Sequence, residues 1–181
     1  MTKVIMISSD CHAGGLPDDY KPHMEEKYHA AADQWWLRYA REMMQRMGTF
    51  FDQEAVVEFA NQTGEEGAGK FQEDATNRAI AASDDQLWAF LNDPDSLIAP
   101  RRGEWDAAVR LEELEADGLA GEVIFPQMAP FGAGLMQYRH VIPPEHSLAG
   151  NQAYNRWLAD LCGQNPGRHA GVALINVDDM D

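Results

Sequence analysis

The chain reads as an α/β protein with about three parallel strands, helical crossovers between them, and a largely helical insertion after the first strand. Three observations predict this. Short β-rich runs at Lys3–Ser9, Gly121–Phe125 and Ala170–Asn176 alternate with helical patterns, the order that builds a parallel sheet with right-handed crossovers. The stretch from Leu16 to Glu104 is far longer than the roughly 2 to 6 residues that normally join a strand to a helix. With 181 residues, 45% of them hydrophobic, the chain is long enough for one ordinary domain with a sizeable core.

Taken in order, the first strand passes through Val4, Ile5 and Met6 and leads into Asp10-Cys11-His12-Ala13-Gly14-Gly15. From Ala31 to Met47 the apolar residues Trp35, Trp36, Tyr39, Ala40, Met43, Met44 and Met47 fall mostly three and four apart, which predicts an amphipathic helix with Gly48 just past its end. Phe50 to Ala60 gives a mixed signal. Asn61 to Lys70 is polar and glycine-rich, a surface loop rather than a phosphate cradle, because its lysine lacks the Gly-Lys-Ser/Thr context. Ser83, with Gln86 three residues on, opens a helix to Leu91 through a capping box, and Asn92 to Asp95 ends it.

Regular alternation begins at Trp105. Ala107 to Ala116 carries Val109, Leu111 and Leu114 in helical spacing, and Asp117-Gly118 supplies the stop before the second strand. Gln127 to Ser147, with Gly132, Gly134, Pro143 and Pro144, is irregular. A second helix from Leu148 to Cys162 or Gly163 then precedes Pro166-Gly167 and the third strand.

Charge and cysteine usage exclude several classes of function. Thirty acidic residues against fourteen basic ones give a formal charge of −16, a field that repels phosphate backbones and anionic lipid surfaces. Neither nucleic acid nor membrane is therefore an expected partner. The amino terminus offers only four apolar residues before Ser8, against the ~7 to 15 of a signal-peptide core. No later run approaches the ~20 apolar residues that span a bilayer. The expected location is the cytoplasm. Cys11 and Cys162 form no metal-finger or redox-motif spacing, as in a reducing compartment. The Cys11 thiol is expected to be sensitive to oxidation.

Residues two apart in a strand share a face, so Asp10 and His12 can point into one pocket while Cys11 points away. A carboxylate with an imidazole suits Zn²⁺ and other divalent first-row ions, and the carboxyl end of a strand is where barrel enzymes keep their chemistry. The same residue types also fit a capping aspartate and an ordinary loop histidine. His140 and His146, flanking Val-Ile-Pro-Pro after the second strand, are candidate substrate contacts on the same end. His23 and His29 read as packing within the insertion, and His169 as structural. Arg110, Arg156 and Arg168 read as ion-pair partners of the abundant acids. No Gly-x-Ser-x-Gly elbow occurs and neither cysteine has a neighbouring base, so covalent catalysis has no support.

A complete (β/α) barrel needs about 250 residues and eight strands. Residues 1–181 are accordingly expected to form an incomplete barrel domain, with 16–104 as an insertion or cap. A hydrophobic three-strand sheet has open edges that attract other chains, which is compatible with a homo-oligomer.

Three stretches carry a family resemblance: the Asp10-Cys11-His12 strand exit, the Arg110-Leu-Glu-Glu-Leu-Glu-Ala-Asp-Gly118 helix leading to Glu122-Val-Ile-Phe-Pro126, and Tyr154-Asn-Arg-Trp157 with Asn165-Pro-Gly-Arg168. They resemble the amidohydrolase-related branch of the metal-dependent amidohydrolase superfamily, which includes enzymes like aminocarboxymuconate-semialdehyde decarboxylase. The resemblance spans residues 1–12 and Trp105 onward. It implies the N-terminal part of a TIM-like (β/α)8 barrel holding a divalent metal ion, often zinc or manganese. By position Asp10 and His12 match the first ligand pair, which in many members is two histidines. The later ligands have no counterpart in this sequence. The implied activity is hydrolysis or nonoxidative decarboxylation of a small organic acid or cyclic amide. Two alternatives share the same residues: a noncatalytic α/β binding or assembly module that has lost the metal site, and a self-sufficient small α/β domain.

Overall fold

A computed structural model describes residues 5–50, 82–96, 99–132 and 142–176, with the backbone alone at 44–50. Its described elements are strand β1 (Ile7–Ala13), 3-10 turns at Pro17–His23 and Glu26–Tyr28, helices α1 (His29–Phe50), α2 (Asp84–Leu91), α3 (Arg102–Trp105) and α4 (Ala107–Ala116), strand β2 (Gly121–Pro126), a 3-10 turn at Pro130–Gly132, helix α5 (Pro144–Gly163) and strand β3 (His169–Gly171). The three strands form one parallel sheet in the order β1-β2-β3. This is a mixed α/β fold with helical crossovers, as the alternation predicts. Among the described residues no helix is long and apolar enough to cross a membrane.

Local signals act where they are self-contained. Ser83 Oγ accepts from Gln86 N at 3.3 Å and Gln86 Oε1 accepts from Ser83 N at 3.0 Å, so the capping box starts α2. Asp106 Oδ1 accepts from Ala108 N and Val109 N at 3.0 and 3.2 Å and starts α4. These backbone donors hold the Asp106 carboxyl below the usual range. Gly118 ends α4 with φ +70, a left-handed conformation that costs glycine nothing.

Strand ends depart from expectation because partners set them. β1 begins at Ile7, leaving Ile5 and Met6 outside it, and ends at Ala13, since its ladder starts where β2 starts, with Ile7 opposite Gly121; Lys3 and Val4 of the expected strand lie outside the described residues. Asp10 and His12 therefore lie within the strand rather than after it. β3 stops at Gly171, short of the expected Asn176. Beyond it the Asn155 side chain takes over the role of a strand neighbour, accepting from Leu174 N and donating to Leu174 O, each at 2.8 Å. Helix α1 continues through Gly48 to Phe50, so that glycine does not stop it. Helix α5 starts at Pro144 rather than Leu148, with proline in its first turn, where no backbone N–H is needed.

The core lies on one side of the sheet. Tyr20, Trp35, Trp36, Tyr154 and Trp157 are buried, with linked ring centroids 4.8 to 6.4 Å apart. They join the Pro17–His23 turn and α1 to α5, so the described part of the 16–104 segment shares one core with α5 and the sheet. Trp35 and Trp36 are buried, and Trp88 and Trp105 pack partly buried against the same cluster. The expected loop at Asn61–Lys70 and the mixed stretch at Phe50–Ala60 lie outside the described residues, apart from the helical backbone of Phe50.

Candidate functional site

The two faces of the sheet differ, and a bulge in β1 decides which residues meet each. Ser8 pairs with Glu122 and Cys11 with Ile124, so Ser9 and Asp10 together oppose Val123. One extra residue in a strand reverses the alternation beyond it. Without it, Ser8, Asp10 and His12 would share one face. With it, Cys11 and Ala13 join Ser8 on the helix-covered face, where Cys11 Sγ donates to Ser8 Oγ at 3.0 Å. Helix α5 covers that face: a Cβ on Gly171, the residue level with Ile124, would meet Leu158 Cδ2 at 2.8 Å. Ile124 is fully buried there.

His12 and Phe125 are register partners on the other face, their rings 6.2 Å apart. Ile7, level with Gly121, is 63% exposed and Phe125 37% exposed. Ser9 and Asp10 are exposed and His12 half-buried. Among the described residues the Asp10 carboxylate and the His12 imidazole have no hydrogen-bond or ion-pair partner. The structure thus leaves the expected ligand pair free and turned out from the helices. Their chemistry fits a divalent first-row ion, but among the described residues no three His, Cys, Asp or Glu side chains are grouped to hold a metal. Two donors fall one short of the three that catalytic zinc sites usually draw from protein.

The backbone just past His12 is held tightly. Gly14 N donates to Glu104 O at 3.2 Å, Tyr154 Oη donates to Ala13 O at 3.0 Å, and Tyr20 Oη accepts from Gly15 N and donates to Met128 O, both at 2.7 Å. Burial pushes both tyrosine hydroxyls well up, so they stay protonated and act as fixed donors. At Gly15 other protein groups come close to the backbone: a Cβ there would lie 2.9 Å from Asp19 Oδ2 and 3.1 Å from Trp157 Nε1.

No family model, curated protein or solved structure matches the chain.

The other histidines separate by environment. His140 lies outside the described residues. His146 belongs to the first turn of α5, not to the preceding loop; it is half-buried and packs on Phe131 at 4.9 Å and Tyr28 at 5.7 Å between ring centroids. Phe131 holds φ +63, an uncommon conformation for a residue with a Cβ. His29 Nε2 sits 3.1 Å from the carbonyls of Lys21 and Met24, and His23 Nδ1 is 3.9 Å from Asp160, both packing roles.

The ion pair expected of Arg110 is present, but within a buried polar cluster beneath β1 whose other members the sequence did not bring together. Arg110 of α4 grips Glu122 of β2 with two nitrogens, Nη2 to Oε2 at 2.8 Å and Nε to Oε1. His169 Nδ1 lies 2.8 Å from the same Oε1 but too obliquely for a hydrogen bond. Burial alone would raise the Glu122 carboxyl, yet the Arg110 hydrogen bonds outweigh it and hold it below the usual range. Burial pushes the His169 imidazole down, with Glu122 pulling partly back. Burial also raises the Cys11 thiol, which faces this cluster rather than the open face. Its expected oxidation sensitivity is weakened accordingly, since the thiolate is the reactive form. Arg168 pairs with Glu115 at 3.1 Å, whereas Arg156 donates to the His23 carbonyl at 2.8 Å instead of to an acid. The signal for the cluster was a charged residue, Glu122, opening an otherwise apolar strand.

Proposed function

We propose that the chain is part of a metal-dependent amidohydrolase-like enzyme that hydrolyses or nonoxidatively decarboxylates a small organic acid or cyclic amide. Asp10 and His12 are its first two metal ligands. The observation that carries this reading is the bulge-directed placement of both side chains, free of other partners, on the sheet face that no described helix covers. When bound, a zinc or manganese ion would polarise a substrate oxygen or lower the pKa of bound water toward ~7. In this reading the sheet is one wall of a TIM-like barrel, the exposed Ile7 and Phe125 face its interior, and the remaining ligands come from other strands. His146, and His140 six residues before it, would contact substrate.

Titration of Zn²⁺ into the purified chain, followed by calorimetry, tests the assignment. The expected result is weak binding that Asp10→Asn and His12→Ala each abolish. Binding indifferent to both substitutions would overturn it, as would tight stoichiometric zinc held by the 181-residue chain alone. The exposure of Ile5, Ile7 and Ile175 favours a second reading, a noncatalytic assembly module. Partner binding that survives His12→Ala unchanged would support that alternative.

A further inference from the structure

We infer that Arg110 is a positioning residue for the candidate metal pair, fixing the backbone of His12; this rests on the metal-site reading. The evidence is the way its guanidinium is used. Nη1 donates to the His12 carbonyl at 3.1 Å and to the Gly103 carbonyl at 2.8 Å, while Nε and Nη2 hold the Glu122 carboxylate. Four of its five N–H donors are thereby engaged, on β1, α3 and β2 at once. Arg110 and Glu122 are both buried.

Stability alone does not call for such an arrangement, because a buried ion pair is often replaceable by apolar residues of similar volume without loss. The contact to His12 is what distinguishes it. A strand that has just passed through a bulge has lost ladder contacts at Ser9 and Asp10, and its next residues need an outside anchor to keep one orientation. Arg110 supplies that anchor at the ligand residue itself. Glu122 in turn orients the guanidinium by accepting from two of its nitrogens, a bidentate contact that fixes the plane of the fork. The planar fork matters: lysine carries three donors about one point and cannot span three elements.

The test compares the native chain with Arg110→Lys and with the paired substitution Arg110→Met/Glu122→Leu. The single change to methionine would strand the Glu122 charge and risk unfolding, whereas the paired change removes the clamp and keeps the core apolar. Amide hydrogen exchange at residues 12–15 is read against Ala153–Leu161 of α5 as an internal standard. In the folded paired variant, exchange at 12–15 is expected to quicken by about tenfold or more while the α5 standard holds. Zinc affinity should fall by about 10- to 100-fold, and Arg110→Lys should restore neither. Unchanged exchange at 12–15, or faster exchange with unchanged zinc affinity, overturns the inference. Zinc binding by the native chain that ignores Asp10→Asn and His12→Ala instead removes the metal reading, and the exchange comparison then decides whether Arg110 anchors this strand at all.

Discussion

The two faces of the three-stranded sheet carry opposite chemistry on the same strands. The face under α5 holds Ile124, Ala13 and Cys11 together with the Arg110–Glu122–His169 cluster, all engaged with one another or with the core. The other face presents Ile7, Asp10, His12 and Phe125, with the two polar groups unpartnered among the described residues. The contrast separates two uses of polar residues. On the covered face Arg110 and Glu122 satisfy each other and fix geometry, with His169 buried beside them and not hydrogen-bonded; the polar side chains on the uncovered face are left available. A single extra residue at Ser9–Asp10 makes the division possible, because it lets Ser8 and Cys11 share the covered face while His12 faces the other way.

The largest effect that separates the faces is expected from side-chain truncation. Ile124→Ala should cost about 2–5 kcal/mol in urea unfolding, as for other buried isoleucines. Phe125→Ala, one residue along and partly exposed, should cost clearly less. Equal losses would mean that both faces are packed alike.

A smaller effect is expected from pH. The His169 side chain is fully covered and its folded pKa is depressed from the ordinary 6.5. The unfolded chain therefore takes up a proton first as pH falls. The stability contributed by neutral His169 is present above 6.5 and is lost as pH drops below it. Glu122 is depressed from the ordinary 4.5, so its contribution is present above 4.5 and disappears only at lower pH. Melting temperature should decline in two stages on acidification, and His169→Phe should remove the first. A first stage that persists in that variant would place its origin elsewhere.

How much of this was readable in the sequence follows from how local each determinant is. Ser83 with Gln86, Asp106 ahead of Ala107, and Gly118 act within a few residues, and the elements they bound lie where the pattern puts them. The ends of β1 and β3 depend on β2 and on the Asn155 side chain, partners distant in sequence. Gly48 shows that a helix-ending residue is overruled when neighbouring residues favour continuation. That Asp10 and His12 share a face was legible from their spacing, whereas their place inside β1 rather than at its exit was not. The reason they face one way was not legible either, since plain alternation from Ser8 would have sent both into the core, and a bulge leaves no reliable mark in sequence. The Arg110–Glu122–His169 cluster draws one residue from each of three elements, and only the fold brings them together.

The central claim is that a cation is gripped at Asp10 and His12 on the uncovered face. Titrating Mn²⁺ into isotopically labelled chain and following paramagnetic broadening tests it most directly. The Asp10 and His12 signals should broaden first, followed by the Phe125 ring, while His29 and His169 stay sharp at the same metal level. Broadening that begins at His29 or His169, or that spreads evenly over the thirty acidic residues, would contradict it.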